Sequence, residues 1–190
     1  MGTMASENAS TAPSERDELL EILREQRRFL RLTVRGLGDE QATARTTASE
    51  LTLAGLVKHV ALSERGWIDI MLQRPPQGPE RNEETWGDDF RLVGEETLAG
   101  VLALYREVER DTEASVAALP DLDRTAPLPE APWFPPNAAW SARRILLHLI
   151  RETAQHCGHA DIIRESLDGS GTTEVMLDAV EWGDQVKNAW

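Results

Sequence analysis

Apolar residues recur three and four positions apart along four long stretches of the chain, which is the spacing of one face of an α-helix. Ser14 and Ser141 precede two of these stretches and are typical N-cap residues, whereas Gly36 and Pro120 follow two of them and end helices. We therefore predict an all-α protein. The predicted helices cover residues 15–36, 52–74, 95–119 and 141–167.

The rest of the chain consists of connections and termini. No stretch alternates apolar and polar residues for long enough to predict a sheet. The connections between the predicted helices exceed the ~2–8 residues usual in simple bundles, which favours a crossover topology or functional loops. We predict a disordered leader over residues 1–13, rich in Ser, Thr and Ala, and a single domain over residues 14–190. Within that domain, residues 173–186 are predicted to form a short helix that caps the bundle.

Composition and charge narrow the classes of function. The chain of 190 residues has a formal net charge of −13, which argues against nucleic acid and against an anionic membrane surface as partners. No apolar run approaches the ~20 residues needed to span a bilayer. Cys157 is the only cysteine, so an internal disulfide is excluded and a reducing, cytoplasmic location is predicted. We interpret Cys157 as a small buried apolar residue rather than a nucleophile.

The histidines and one carboxylate provide the candidate chemistry. Three of the four histidines lie on the last predicted helix, where Glu152 and His156 are four residues apart and share one face. Imidazole and carboxylate ligands suit zinc, with nickel or iron as alternatives, and three protein ligands with open positions are typical of catalytic sites. The third ligand has to come from another helix. His59 is the candidate, because it is the only histidine outside the last helix.

Each of these residues also has a structural interpretation. Glu152 can instead pair at the surface with Arg144 or Arg151, and His156 can be a hydrogen-bonded core residue. A buried carboxylate without a partner is costly, and a metal ion would remove that cost. Glu64 falls within the apolar stripe of the second predicted helix, where it either supports a ligand histidine or pairs with an arginine.

Two segments resemble a known family. Residues 53–67, LAGLVKHVALSERGW, are similar to the second helix of DinB-like proteins. Residues 140–161, WSARRILLHLIRETAQHCGHAD, are similar to their fourth helix, and the match extends to Gly169. The helix order around these segments is compatible, so the resemblance covers about residues 15–170. It is strongest to the branch of the DinB-like superfamily that is known only as a domain of unknown function.

The resemblance implies an antiparallel four-helix bundle with up-down-down-up order and a divalent metal near one end. The ligands would be a histidine of the second helix, here His59, and a pair on the fourth helix, here Glu152 and His156. Many DinB-like proteins carry His-x-x-x-His for that pair, whereas Glu-x-x-x-His is similar to the mycothiol-dependent maleylpyruvate isomerases. This departure leaves His148 or His159 as an alternative to Glu152.

Characterised DinB-like relatives use the metal to activate a low-molecular-weight thiol. The resemblance therefore implies a metal-dependent transferase or isomerase that acts on a small electrophile with mycothiol as cosubstrate. A metal-dependent hydrolase and a non-catalytic, stress-related bundle protein are the alternatives. Homodimers are common in the family. Trp67, Trp133, Phe134, Trp140 and His159 are candidates for the substrate pocket, and packing is the alternative for the aromatic residues.

Overall fold

The computed structural model describes residues 12–77 and 85–173, and this part of the chain is mostly helical. The predicted helical class is therefore confirmed. Its α-helices are α1 (Glu15–Thr33), α2 (Asp39–Ala42), α3 (Leu53–Leu72), α4 (Leu98–Ala117) and α5 (Ala142–Asp168). The connections also contain a 3₁₀ helix (Trp86–Phe90) and two short strands, β1 (Thr125–Pro127) and β2 (Ala139–Ser141).

Hydroxyl side chains begin the four long helices. Ser14 accepts a hydrogen bond from the amide of Asp17, whose carboxylate accepts one from the amide of Ser14, and the two form a capping box on α1. Thr52 and Ser141 cap α3 and α5 without a capping box, and each side chain accepts a hydrogen bond from a backbone amide of the first turn. Helix α4 begins later than predicted, because Thr97 supplies its cap.

Helices α1 and α5 run in the same direction along each other. Arg143, at the start of α5, donates to the carboxylate of Glu15 at the start of α1, with an Nε–Oε1 distance of 2.5 Å. Arg164, near the end of α5, donates to the carbonyl oxygen of Thr33 at the end of α1, at 2.9 Å. Both ends of the two helices are therefore joined by arginine side chains.

Side-chain contacts also show which other helices are adjacent and in which direction they run. Arg16, at the start of α1, donates to the carbonyl oxygen of Leu119 just beyond the end of α4, at 2.8 Å, so these helices run in opposite directions. Helix α3 packs between α4 and α5. Near its start, Lys58 donates to the carboxylate of Glu96, which lies just before α4, at 2.6 Å.

A buried ion pair lies between two apolar clusters that fill the interior. Arg27 donates to both carboxylate oxygens of Glu64, at 2.5 and 3.1 Å, and Thr112 donates to Glu64 at 2.6 Å. The side chains of Arg27 and Glu64 are 0% and 1% exposed. Of the two interpretations of Glu64, the structure therefore shows pairing with an arginine. Each cluster includes residues of α1, α3, α4 and α5.

Strands β1 and β2 form an antiparallel pair that the sequence pattern does not predict. Ala126 lies opposite Trp140 in the register, so the pair holds the chain immediately before α5. Across residues 12–77 and 85–173, no helix is long and apolar enough to cross a bilayer. Nearly all of the predicted leader, residues 1–13, and of the predicted last helix, residues 173–186, lies outside the described residues.

Candidate metal centre

Three side chains meet between α3 and α5. His59 belongs to α3, and Glu152 and His156 lie one turn apart on α5. The Nε2 atom of His59 is 3.3 Å from Oε1 of Glu152, and the Nε2 atom of His156 is 3.4 Å from the same oxygen. One ligand-type atom from each residue lies within 4.8 Å of the others. The structure brings the three predicted ligands together, and their role as metal ligands stays a prediction.

The carboxylate at the centre of this cluster is stabilised in its charged form. Hydrogen bonds from His156 and His59 hold the pKa of Glu152 well below its usual range, against the opposing effect of burial. Neither of the arginines suggested as surface partners takes this role. Arg144 lies over the Trp140 ring, and Arg151 donates to His148. Glu152 is therefore shared by two imidazoles rather than paired with a guanidinium.

Two of the three spacings in the cluster agree with those around a divalent cation. Bonds from zinc to nitrogen or oxygen are ~2.0–2.2 Å, so two ligand atoms at a tetrahedral centre lie about 3.3–3.6 Å apart. The two N–O distances of the cluster, 3.3 and 3.4 Å, agree with that geometry. The Nδ1 atom of His59 is buried and has no hydrogen-bond partner among the described residues. Two imidazoles and one carboxylate also leave coordination positions open, as catalytic zinc sites do.

His159 contacts the cluster from one side. Its Nδ1 atom is 3.3 Å from Nδ1 of His156, the ring nitrogen that does not face Glu152. Metal-binding histidines are commonly oriented through their second nitrogen, so His159 can hold the His156 ring in position. Among the described residues, the group that could hold an ion consists of His59, Glu152 and His156 and includes neither His148 nor His159.

A ring from the 3₁₀ helix covers His59. Phe90 stacks on the imidazole with ring centroids 3.9 Å apart and planes inclined by 17°. One turn before His59, a Cβ atom on Gly55 would lie 1.9 Å from the carbonyl oxygen of Phe90. The buried Lys58 donates to the carbonyl oxygen of Arg91 at 3.1 Å. The absence of a side chain at Gly55 leaves room for the backbone of Phe90, and the hydrogen bond from Lys58 holds the next residue in place. Both contacts keep the Phe90 ring on His59.

Replacing Gly55 with alanine is expected to push the 3₁₀ helix away from α3. Overpacking of this kind costs about 1–3 kcal/mol, and loss of the Phe90 contact should reduce affinity for Zn²⁺ about tenfold, because His59 is then less well oriented. Thermal unfolding and a Zn²⁺ titration measure the two effects.

Gly158→Ala is the matched control, because a Cβ atom there meets nothing within 4 Å. It should stabilise α5 by up to about 1 kcal/mol. Equal stability and equal Zn²⁺ affinity of Gly55→Ala and the unmodified protein would contradict the role of the close contact.

Aromatic rings continue along α3 and α5 beyond the cluster. Trp67 and Trp140 stack in parallel with centroids 4.7 Å apart, and the His148 ring packs edge-on against both. Phe134 also packs edge-on against both indoles, whereas Trp133 is 66% exposed. Burial lowers the pKa of His148, which favours the neutral form of its ring. The structure gathers the aromatic residues beside the cluster, and their contact with substrate stays a prediction.

Cys157 lies on a different side of α5. Its thiol donates to the carbonyl oxygen of Gln26 on α1, at 3.5 Å. Burial, with a smaller contribution from Asp161, raises the pKa of Cys157 to about 12. Because the thiolate is the reactive form, this thiol is unsuited to act as a nucleophile near neutral pH. These contacts agree with its interpretation as a small buried residue.

Taken with the fold, the cluster defines a helical protein with a candidate divalent-metal centre between two helices. A family model described as mycothiol-S-transferase matches residues 18–169. The chain belongs to the mycothiol-S-transferase family, which confirms the predicted DinB-like resemblance.

A solved structure gives independent support for the fold. The crystal structure of a conserved protein from Enterococcus faecalis superposes with a TM-score of 0.66 and 14% sequence identity. The alignment covers 84% of this chain and 100% of that chain. At this identity the similarity shows the fold alone. No match was found among curated protein sequences.

Proposed function

We propose that this protein is a divalent-metal-dependent transferase that joins a low-molecular-weight thiol of the mycothiol type to a small electrophile. The proposal rests on the family match over residues 18–169 and on one structural observation. That observation is that His59 of one helix and His156 of another both face the same carboxylate oxygen of Glu152. Two imidazoles and one carboxylate are a ligand set typical of catalytic zinc sites.

The proposed arrangement of the domain, over residues 14–190, is a four-helix bundle with α1, α3, α4 and α5 in up-down-down-up order. Arginine contacts support the parallel pair α1–α5 and the antiparallel pair α1–α4. Ring contacts support an antiparallel pair α3–α5. His59 meets His156 with centroids 4.8 Å apart, and two turns later on α3, Trp67 meets His148, which precedes His156 on α5.

In this proposal His59, Glu152 and His156 hold the cation, and zinc suits the donor set best. When bound, a divalent cation supplies the charge that lowers the pKa of a coordinated thiol toward neutrality. The residues of the chain orient the ligands. Phe90 fixes the plane of the His59 ring, and His159 supports His156 through its second nitrogen.

The electrophile would lie against the aromatic residues beside the cluster. Trp67 and Trp140 form a stacked pair next to the imidazole of His148, and this pair offers an apolar surface for the electrophile. Trp133 packs edge-on against Phe134 and is exposed, so it can contact a substrate that enters from solvent. His159 is half-buried next to His156 and is the polar candidate for orienting the substrate. The predicted homodimer and the cytoplasmic location stay predictions.

The test is a transfer assay with the full-length protein loaded with Zn²⁺. Mycothiol and monobromobimane are mixed with the protein, and the fluorescent thioether that forms as bromide leaves is measured over time. We expect adduct formation well above the uncatalysed rate, its loss after treatment with a chelator, and its recovery when Zn²⁺ is added back.

Two results would contradict the proposal. Adduct formation no faster than the uncatalysed reaction would exclude this class of electrophile and thiol. A rate that is the same for the chelated and the metal-loaded protein would exclude a role for the cation.

A further inference from the structure

A basic groove lies between α1 and α4, away from the candidate metal centre. Its volume is about 540 Å³, within the ~300–1,000 Å³ range of small-molecule sites. The lining residues come from the end of α1, the segment that follows it as far as the first residue of α2, and the first half of α4. None of them belongs to α3 or α5, which carry His59, Glu152 and His156. The groove is therefore a separate feature of the fold.

The charge of this groove is opposite to that of the whole protein. Four arginines line it, Arg28, Arg31, Arg35 and Arg106, against one acidic residue, Asp39, whereas the whole chain carries a formal charge of −13. The carboxylate of Asp39 already accepts a hydrogen bond at 2.7 Å from a backbone amide at the start of α4. A concave surface lined by one sign of charge concentrates ions of the other sign.

Two of these arginines have guanidinium groups that are available to a ligand. Arg31 is paired with Glu109 at 2.8 Å and lies over the Tyr105 ring. Arg35 and Arg106 are exposed, and no hydrogen bond or ion pair of their side chains occurs with any residue in the described ranges. Guanidinium groups bind carboxylate and phosphate with two parallel hydrogen bonds, so each of these two arginines is suited to an oxyanion.

The floor of the groove is apolar. Leu32 and Leu102 are half-buried there, and Val34 and Leu98 are buried beneath the arginines. A simple inorganic anion would leave this floor in contact with water. An anion that also carries an apolar body would cover it and gain the free energy of removing apolar surface from solvent.

We propose that the α1–α4 groove is a second binding site, which takes a small organic acid with an apolar body and an oxyanion head group. The head group pairs with Arg35 and Arg106 at the rim, and the apolar body lies on Leu32 and Leu102. This site is independent of the thiol-transfer function and of the metal.

The test uses decanoate as the probe, with decanol and decyltrimethylammonium as probes of the same apolar body without the negative charge. Binding to the full-length protein is measured by titration of backbone amide signals in NMR spectra. Decanoate should shift the amides of residues 28–39 and 98–106, and the two control probes should bind at least about tenfold more weakly. The double variant Arg35→Gln/Arg106→Gln should bind decanoate about tenfold or more weakly than the unmodified protein.

Arg110→Gln is the matched control, because Arg110 is exposed one turn further along α4 and does not line the groove. It should bind decanoate as the unmodified protein does. The proposal is overturned if the three probes bind equally or if the double variant keeps full affinity for decanoate. It is also overturned if decanoate shifts other amides and not those of residues 28–39 and 98–106. It is also overturned if the same amides shift on changing the protein concentration alone, because the groove would then bind a second copy of the chain.

Discussion

Replacing Glu152 with glutamine is expected to weaken binding of Zn²⁺ at least about a hundredfold. The substitution keeps the size of the side chain and removes the negative charge that faces the Nε2 atoms of His59 and His156 at 3.3 and 3.4 Å. Changes to groups that merely support a ligand already cost about 10–100-fold in metal affinity, so loss of an anionic ligand should cost more. A competition titration against a chromophoric chelator measures the dissociation constant.

Two further variants show whether the loss is specific. Glu152→His creates the His-x-x-x-His pattern of other DinB-like proteins and should retain tight binding, because imidazole is also a good zinc ligand. Glu165→Gln makes the same chemical change at an exposed position of α5 and should have no effect. If Glu152→Gln binds Zn²⁺ as tightly as the unmodified protein, the cation is held elsewhere.

The second large effect concerns the stability of the fold. Replacing Arg27 with methionine is expected to lower the free energy of unfolding by about 3–5 kcal/mol, because Glu64 is then a buried charge without its partner. For a protein of this size, that loss corresponds to a melting temperature about 10 °C lower. Thermal unfolding followed by circular dichroism measures the shift.

A double replacement shows how much of the loss in the free energy of unfolding comes from leaving one charge of the pair buried without its partner. Arg27→Met combined with Glu64→Leu removes both buried charges and should recover most of the stability lost by Arg27→Met alone. Thr112 then loses its acceptor, which costs about 1 kcal/mol. A double variant that is as unstable as Arg27→Met alone would show that the unpaired charge of Glu64 is not the cause of the loss.

The long helices could be predicted from the sequence because their signals are local. Ser14, Thr52 and Ser141 each precede an apolar periodic stretch, and the structure places each at an N-cap. The same signal occurs at Thr97, which caps α4 two residues after the predicted start of this helix at residue 95. Helix ends were less accurate, since α1 ends at Thr33, ahead of the glycine used to mark its end.

The elements that complete the site could not be predicted in this way. Phe90 lies in a 3₁₀ helix of five residues, too short for an apolar period to be visible. Its contact with His59 requires glycine at position 55, and a glycine in a sequence does not indicate which residue packs against it. Strands β1 and β2 have three residues each, and Pro127 in one of them argues against a strand.

The spacing of residues along one helix predicts two of the three residues of the cluster, but it cannot identify the third. Glu152 and His156 share a face because they are four apart. His59 is predicted by elimination and by the family resemblance, because the spacing of residues along a helix does not indicate which residue of α3 contacts α5. The partner of Glu64 lies 37 positions away on α1, so only the packed structure identifies Arg27.

The parallel indoles of Trp67 and Trp140 have a spectroscopic consequence. Two indole chromophores with planes inclined by 1° and centroids 4.7 Å apart couple their electronic transitions, and the coupling weakens steeply when the rings separate. One ring belongs to α3 and the other lies in β2, directly before α5. Any change in the gap between these elements should therefore alter the near-ultraviolet circular dichroism, which makes the pair an intrinsic optical reporter that needs no label.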